Sequence, residues 1–238
     1  PQNTLGAELR QLENKQWEQI TLPHTPFVEP LTVLHQWQGI CYYKKKITIT
    51  PEEEKKHIWI EFEGAMHLAD VWINGKHVMQ HAGGYTPFVV DATGLLKTGK
   101  ENELLVRLDN SLIPPGKPLE TLDFCYYGGI YRNVHLIAKA DVHITHPILD
   151  GHPAGAGIFI TYPKVSQELS VVDAKTEIKN TSDKEKVVEL RHTLYTWKKQ
   201  KGKDKKVQNI SETLTLHPGV TIENNQRMEV KHPALWSP

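Results

Sequence analysis

Between residues 69–73 (ADVWI) and 76–81 (KHVMQH) stands the pair Asn74-Gly75. Both residues tolerate the positive φ that the two central positions of a tight hairpin turn require, so the flanking segments read as antiparallel strands. The same alternation of apolar and polar residues recurs before and after, in residues 42–50 (YYKKKITIT), 57–63 (HIWIEFE) and 103–108 (ELLVRL). Alternation sends one set of side chains to a core and the other to water, which predicts half-buried strands. A sustained helical stripe is absent; residues 51–56 (PEEEKK) carry Pro first and acids before lysines, enough for one turn joining two strands.

A second series of strands is predicted over residues 142–145, 157–162, 169–180, 186–197, 205–216 and 226–230, with turns at 180–184 (NTSDK) and 198–206 (KKQKGKDKK). Strands at this spacing imply a second sandwich. The boundary falls near Ala140, giving an all-β chain of two domains, 1–140 and 141–238.

Charge and cysteine content exclude several classes. Lys and Arg total 28 and so do Asp and Glu, so no net field gathers polyanions. The lysine turn at 198–206 holds no aromatic residue to stack on a base and is read as a solvated hairpin tip, so no nucleic-acid partner is expected. No apolar run approaches the roughly 20 residues of a membrane span, and no membrane partner is expected. The chain begins at Pro1 rather than Met, read as a processed or trimmed start that leaves both export and cytoplasmic residence open. Cys41 and Cys125 are too few for a disulfide framework or a zinc site and are expected to be free thiols.

The local signatures of self-sufficient catalysis are missing: no G-x-S-x-G, H-E-x-x-H, C-x-x-C or P-loop occurs. His77/His81 and His143/His146 are pairs without a third ligand at metal-site spacing. Glu61 and Glu63 lie two apart on one predicted strand, so they face one side at about 6–7 Å. That spacing approaches a retaining glycosidase pair, yet such acids stand on separate elements facing a cleft, and these two are read as surface acids.

Longer patterns carry a resemblance. Residues 17–25 (WEQITLPHT) look like W-x-x-V-x-L-P-H-x, and residues 39–45 (GICYYKK) are similar to G-x-x-W-Y-R-R. Residues 62–75 (FEGAMHLADVWING) with 83–88 (GGYTPF) match F-x-G-V-x-x-x-A-x-V-x-x-N-G and G-G-Y-x-P-F; residues 123–134 (DFCYYGGIYRNV) match D-x-x-x-x-x-G-I-x-R-x-V; residues 235–238 read LWSP. In this order the motifs resemble glycoside hydrolase family 2, the β-galactosidases and β-glucuronidases. Cys41 and Tyr42 depart from the family's commoner residues in the second motif.

The resemblance implies a jelly-roll sugar-binding domain followed by an immunoglobulin-like β-sandwich that lacks its last strand. It implies a parent enzyme that hydrolyses β-glycosides with retention, using two glutamates on a downstream (β/α)₈ barrel of about 250 residues. The chain stops at Pro238 without such a barrel, so no catalytic residue is expected in it, nor any cofactor or metal. The expected partners are a carbohydrate, a β-galactoside or related sugar, and the barrel itself; a homo-oligomer of the full-length enzyme stays open. β-Galactosidase ranks first, β-glucuronidase second, and a free-standing carbohydrate-binding or adhesive module is the rival class. By motif match, a loop aspartate lent to the sugar is Asp123, with Asp109 and neighbouring Asn110 second. A carboxylate can accept two hydrogen bonds from adjacent hydroxyls. Residues 111–122 (SLIPPGKPLETL) form a proline-stiffened excursion, and Tyr126-Tyr127 offer an aromatic surface for sugars. Arg132 is expected to be pinned by a carboxylate or carbonyls.

Overall fold

The computed structural model describes residues 12, 15–28, 37–111, 127–151, 156–196 and 205–236. The fold is all-β, as the alternation predicts, with the jelly-roll sandwich followed by an immunoglobulin-like one that the resemblance implies. By compactness the chain divides into two units, one drawn from residues up to Lys45, Phe62–Pro87 and Leu104–Val134, the other from Lys46–Glu61, Phe88–Glu103 and His135 onward.

The first unit is organised by a sheet of order β1-β6-β3-β4, comprising β1 (Ile40–Ile47), β6 (Asn102–Asp109), β3 (Leu68–Ile73) and β4 (Lys76–Ala82). The predicted hairpin joins β3 to β4 through Asn74 (φ 51) and Gly75 (φ 78). On β3 the residues Ala69, Val71 and Ile73 lie opposite Leu108, Val106 and Leu104 of β6, forming a fully apolar face. The other face departs from the expectation that alternation sends it to water. Asp70, Trp72, Arg107 and Asp109 are all buried there, because Asp70 and Arg107 stand opposite one another and satisfy charge locally.

The second unit contains the sheet β5-β2-β7, built from β5 (Phe88–Asp91), β2 (His57–Phe62) and β7 (Val134–Lys139). The expected single turn is α1 (Pro51–Glu54), started by a reciprocal cap in which Thr50 Oγ1 accepts from Glu53 N and Thr50 N donates to Glu53 Oε2. A further sheet runs β13-β10-β8, from β8 (Val142–Ile144), β10 (Leu169–Asn180) and β13 (Thr221–Lys231), with β9 (Ile158–Lys164) also paired to β10. β11 (Lys186–Tyr195) and β12 (Lys206–Leu216) form a ribbon of their own.

From Val172 onward β10 alternates strictly, burying Val172, Ala174, Thr176, Ile178 and Asn180. Ile178 packs with Leu190, Leu214 and Leu216 of the ribbon, closing an apolar core. Within that core His192 joins three strands. Its Nδ1 lies 2.7 Å from Gln226 Oε1, an acceptor, so the proton is on Nδ1 and Nε2 accepts from Thr176 Oγ1 at 2.8 Å. Replacing His192 by Leu therefore strands both Thr176 Oγ1 and Gln226 Oε1, at about 1–3 kcal/mol each. We expect urea unfolding to show His192→Leu destabilised by roughly 2–4 kcal/mol, with most of the loss recovered in Thr176→Val/His192→Leu/Gln226→Leu. A loss below about 0.5 kcal/mol in the single variant contradicts the bridging role.

Candidate functional site

Asp109 and Asn110 end β6, and their side chains serve different neighbours. Asp109 is 5% exposed and both its oxygens are engaged: Oδ2 accepts from Arg107 Nη2 at 3.1 Å, while Oδ1 accepts from Ser111 N at 2.9 Å and Ser111 Oγ at 2.5 Å. Asn110 is 3% exposed and grips residues 37–39: Oδ1 accepts from Gly39 N at 2.8 Å, and Nδ2 donates to Trp37 O at 3.1 Å. A main-chain bond from Asn110 N to Gly39 O at 3.2 Å completes the clamp.

Arg107 is the buried cation behind this strand end. Its Nη1 lies 3.8 Å from Asp70 Oδ2, so one guanidinium faces two buried carboxylates. The remaining Asp70 oxygen, Oδ1, takes Gln80 Nε2 at 2.9 Å and His77 Nε2 at 3.0 Å. The His77 ring meets Trp72 edge-on at 5.0 Å. Buried carboxylates persist when their charge and lone pairs are met in this way.

The returning chain packs against the same place. A side chain at Gly128 would strike the Trp37 ring at 2.8 Å and Asn110 Nδ2 at 2.9 Å. Gly129 (φ +95) has a double requirement, for its backbone is left-handed and a Cβ there would meet the Tyr43 hydroxyl and, at 2.8 Å, His24 O. Gly129 exchanges main-chain hydrogen bonds with Met66, and Ile130 O accepts from His24 N at 2.8 Å. Tyr43 Oη is 3.0 Å from His24 Nδ1. Burial pushes the Tyr43 phenol upward. Burial likewise pushes the Cys41 thiol up to about 11, so Cys41 is a neutral filler at this strand end, not a nucleophile at neutral pH.

Segment 112–126 thus leaves from Ser111, tied to Asp109, and returns at Tyr127-Gly128, seated beside Asn110. Asp123 and Tyr126 belong to that segment and lie outside the described residues, as does Cys125. Of the three site residues expected from sequence, the structure places Asp109 and Asn110 together at the root. Arg107 and Asp70 were missed, although each is a charge at an alternate position of an otherwise apolar strand and the two share a face. Glu61 and Glu63 face separate partners: Glu61 Oε2 lies 3.7 Å from His146 Nε2, and Glu63 Oε2 pairs with Arg132, 3.4 Å from its Nε, the pinning expected of Arg132. Among the described residues no group of three or more His, Cys, Asp or Glu is placed to hold a metal ion.

Residues 15–140 match the family model described as the sugar binding domain of glycosyl hydrolases family 2. The chain belongs to glycosyl hydrolase family 2. A β-glucuronidase of Bacteroides fragilis is 31% identical over 224 residues, covering 92% of this chain and 30% of that protein. A β-galactosidase of Thermoanaerobacter pseudethanolicus is 32% identical over 189 residues, covering 76% of the chain and 25% of its own length. Among solved structures, β-glucuronidase 2 of Bacteroides uniformis, covalently bound to cyclophellitol-6-carboxylate aziridine, superposes with a TM-score of 0.75 at 31% identity, over 93% of this chain and 25% of that one. The chain spans less than a third of the length of these relatives.

The two carboxylates make Arg107 costly to remove, since an unpartnered buried charge costs about 3–5 kcal/mol. Arg107→Met should lower unfolding stability by that amount in denaturant titrations, and Asp70→Asn/Arg107→Met/Asp109→Asn should regain part of it. A loss under about 1 kcal/mol in Arg107→Met removes the guanidinium from its assigned role.

Proposed function

We propose that this chain is the N-terminal, non-catalytic part of a retaining β-glycosidase, and that the parent enzyme hydrolyses terminal β-glucuronides. The observation that carries the reading is the match to a β-glucuronidase over 92% of this chain, while 30% of that protein suffices to contain it. The jelly roll, within 1–140, supports the sugar, and the immunoglobulin-like sandwich, 141–238, follows it; the family-model match ending at residue 140 supports that boundary. β-Galactoside hydrolysis is the second reading, favoured by the 32% identity to the Thermoanaerobacter β-galactosidase.

The division of labour follows from charge and burial. Retaining hydrolysis needs two carboxyl groups about 5–5.5 Å apart across the scissile bond, one donating a proton to the leaving oxygen and one attacking the anomeric carbon. Asp109 and Asp70 are already engaged by Arg107 and its neighbours, which suits them to fixing a strand end rather than to proton transfer. In this reading both catalytic glutamates lie in a further barrel domain, the chain's own partner. Asp123 binds the sugar hydroxyls, and Asp109 and Asn110, whose polar atoms are held by Arg107, Ser111 and residues 37–39, serve the sugar site by fixing the chain at Ser111 rather than by touching sugar.

Two measurements test the reading. The purified chain should release no p-nitrophenol from the β-glucuronide or the β-galactoside; turnover by the chain contradicts it. In the parent enzyme Asp123→Ala should lower kcat/KM by about tenfold to a hundredfold, the loss of one charged acceptor worth ~1.5–3 kcal/mol. Unchanged kcat/KM removes Asp123 from the site.

A further inference from the structure

β2 presents His57, Trp59 and Glu61 on one face, and the chain from Asp141 to Asp150 lies against that face. The His143 ring sits 5.3 Å from His57 and 5.3 Å, edge-on, from Trp59; the His146 ring meets Trp59 at 5.4 Å. His143 is 8% and His146 is 9% exposed. Two imidazoles meet one indole and a third packs against the first of them, and their hydrogen bonds specify where each proton sits.

His143 Nδ1 is 2.8 Å from the Ala140 carbonyl, so Nδ1 carries the proton. Thr181 Oγ1 donates its only proton to Asp141 O at 2.9 Å, so the 2.7 Å contact with His57 Nε2 needs the proton on His57. His146 Nδ1 accepts from Ile148 N at 3.2 Å, which leaves its proton on Nε2, facing Glu61 Oε2 at 3.7 Å. Each ring is thus placed as one neutral tautomer. Charging His146 would turn Nδ1 into a donor opposed to the Ile148 N–H, and charging His143 would set a cation beside His57.

We propose that His143, packed against His57 and Trp59 beside His146, is the acid-sensitive element of a latch that fastens β2 to β8 and the turn after it while its ring is neutral, and releases them when that ring charges.

The charged groups around the latch come from every element that meets it: His57 and Glu61 from β2, His143 from β8, His146 and Asp150 from the turn, and Lys179 from β10. Asp150 Oδ1 holds Lys179 Nζ at 3.1 Å, and Asp150 Oδ2 accepts from His146 N at 2.9 Å, so its charge is directed to those two partners. Burial, the largest influence, depresses the His143 imidazole below its ordinary pKa; the Ala140 carbonyl and Asp150 oppose that, while His57 and Lys179 add to it. A depressed histidine binds fewer protons folded than unfolded. Its contribution to stability is therefore intact above the unfolded value of about 6.5 and declines as pH falls below it.

The test compares the 238-residue chain with His143→Asn, which can keep a donor near the Ala140 carbonyl, and His143→Phe, which keeps a ring against Trp59. Hydrogen exchange, corrected for intrinsic rates, is read at Thr145 N and Thr181 N, the amides that tie this region to Glu177 O and Asp141 O. In the natural chain both amides should open more readily at pH 5.5 than at pH 7.5, relative to β10–β13 amides, because the opened form binds the proton that the buried His143 ring resists. Both variants should lose that pH dependence even if each opens more at pH 7.5. Because a variant can fold poorly, the natural chain's His143 resonance is also titrated by NMR and should have a lower midpoint than that of His217, whose side chain is 70% exposed. Equal opening at the two pH values in the natural chain, an undiminished pH dependence in a folded variant, or a His143 midpoint at or above that of His217 overturns the latch.

Discussion

Arg107 places one guanidinium between Asp70 on the adjoining strand and Asp109 two residues along its own. Removing the guanidinium leaves two buried carboxylates without their cation, so both depend on Arg107. The consequences run outward along the chain. Asp109 is free to organise Ser111 because Arg107 neutralises it, Asn110 follows in register to clamp residues 37–39, and Gly128 then fits over Asn110 and Trp37. These attachments hold Ser111 and Gly128 close to Asn110 and residues 37–39.

Much of the fold was legible because its elements are local. Asn74-Gly75 marks its hairpin by conformational preference alone, and residues 169–180, alternating from Val172 on, give β10 at the same bounds. Thr50 and Glu53 bracket α1 by a short-range exchange of bonds. β5 and β7 were less visible. β5 is four residues following a glycine-rich turn, and β7 begins inside a motif whose glycines and arginine dominate its reading. The burial of both faces of β3 was not legible either: a strand such as ADVWI looks half-solvated until the partner that neutralises Asp70 is known, and Arg107 lies 37 positions away.

For the candidate site, only local sequence was legible. Asp109 and Asn110 stand out at the mouth of a proline-rich excursion, but whether a carboxylate faces a ligand or a neighbour depends on long-range pairing. Arg107 and Ser111 take both oxygens of Asp109, and Trp37 and Gly39 occupy Asn110. Membership of glycosyl hydrolase family 2 explains why glycine recurs where it does. Gly128 and Gly129 stand where backbone meets Trp37, Tyr43 and His24 with no space for a Cβ, so the motif is first a packing rule.

On the proposed reading, this chain shapes a sugar pocket whose reacting carboxylates and most of whose walls lie elsewhere, so its own affinity for sugar is small. A free-standing binding module has to contain the whole pocket. Isothermal calorimetry of the purified chain with methyl β-glucuronide and methyl β-galactoside separates the two directly. The account predicts no saturable heat up to about 10 mM of either sugar, an affinity weaker than roughly −2.7 kcal/mol. Saturable binding near 1 mM or tighter by the chain alone contradicts it and makes the jelly roll a carbohydrate-binding module in its own right.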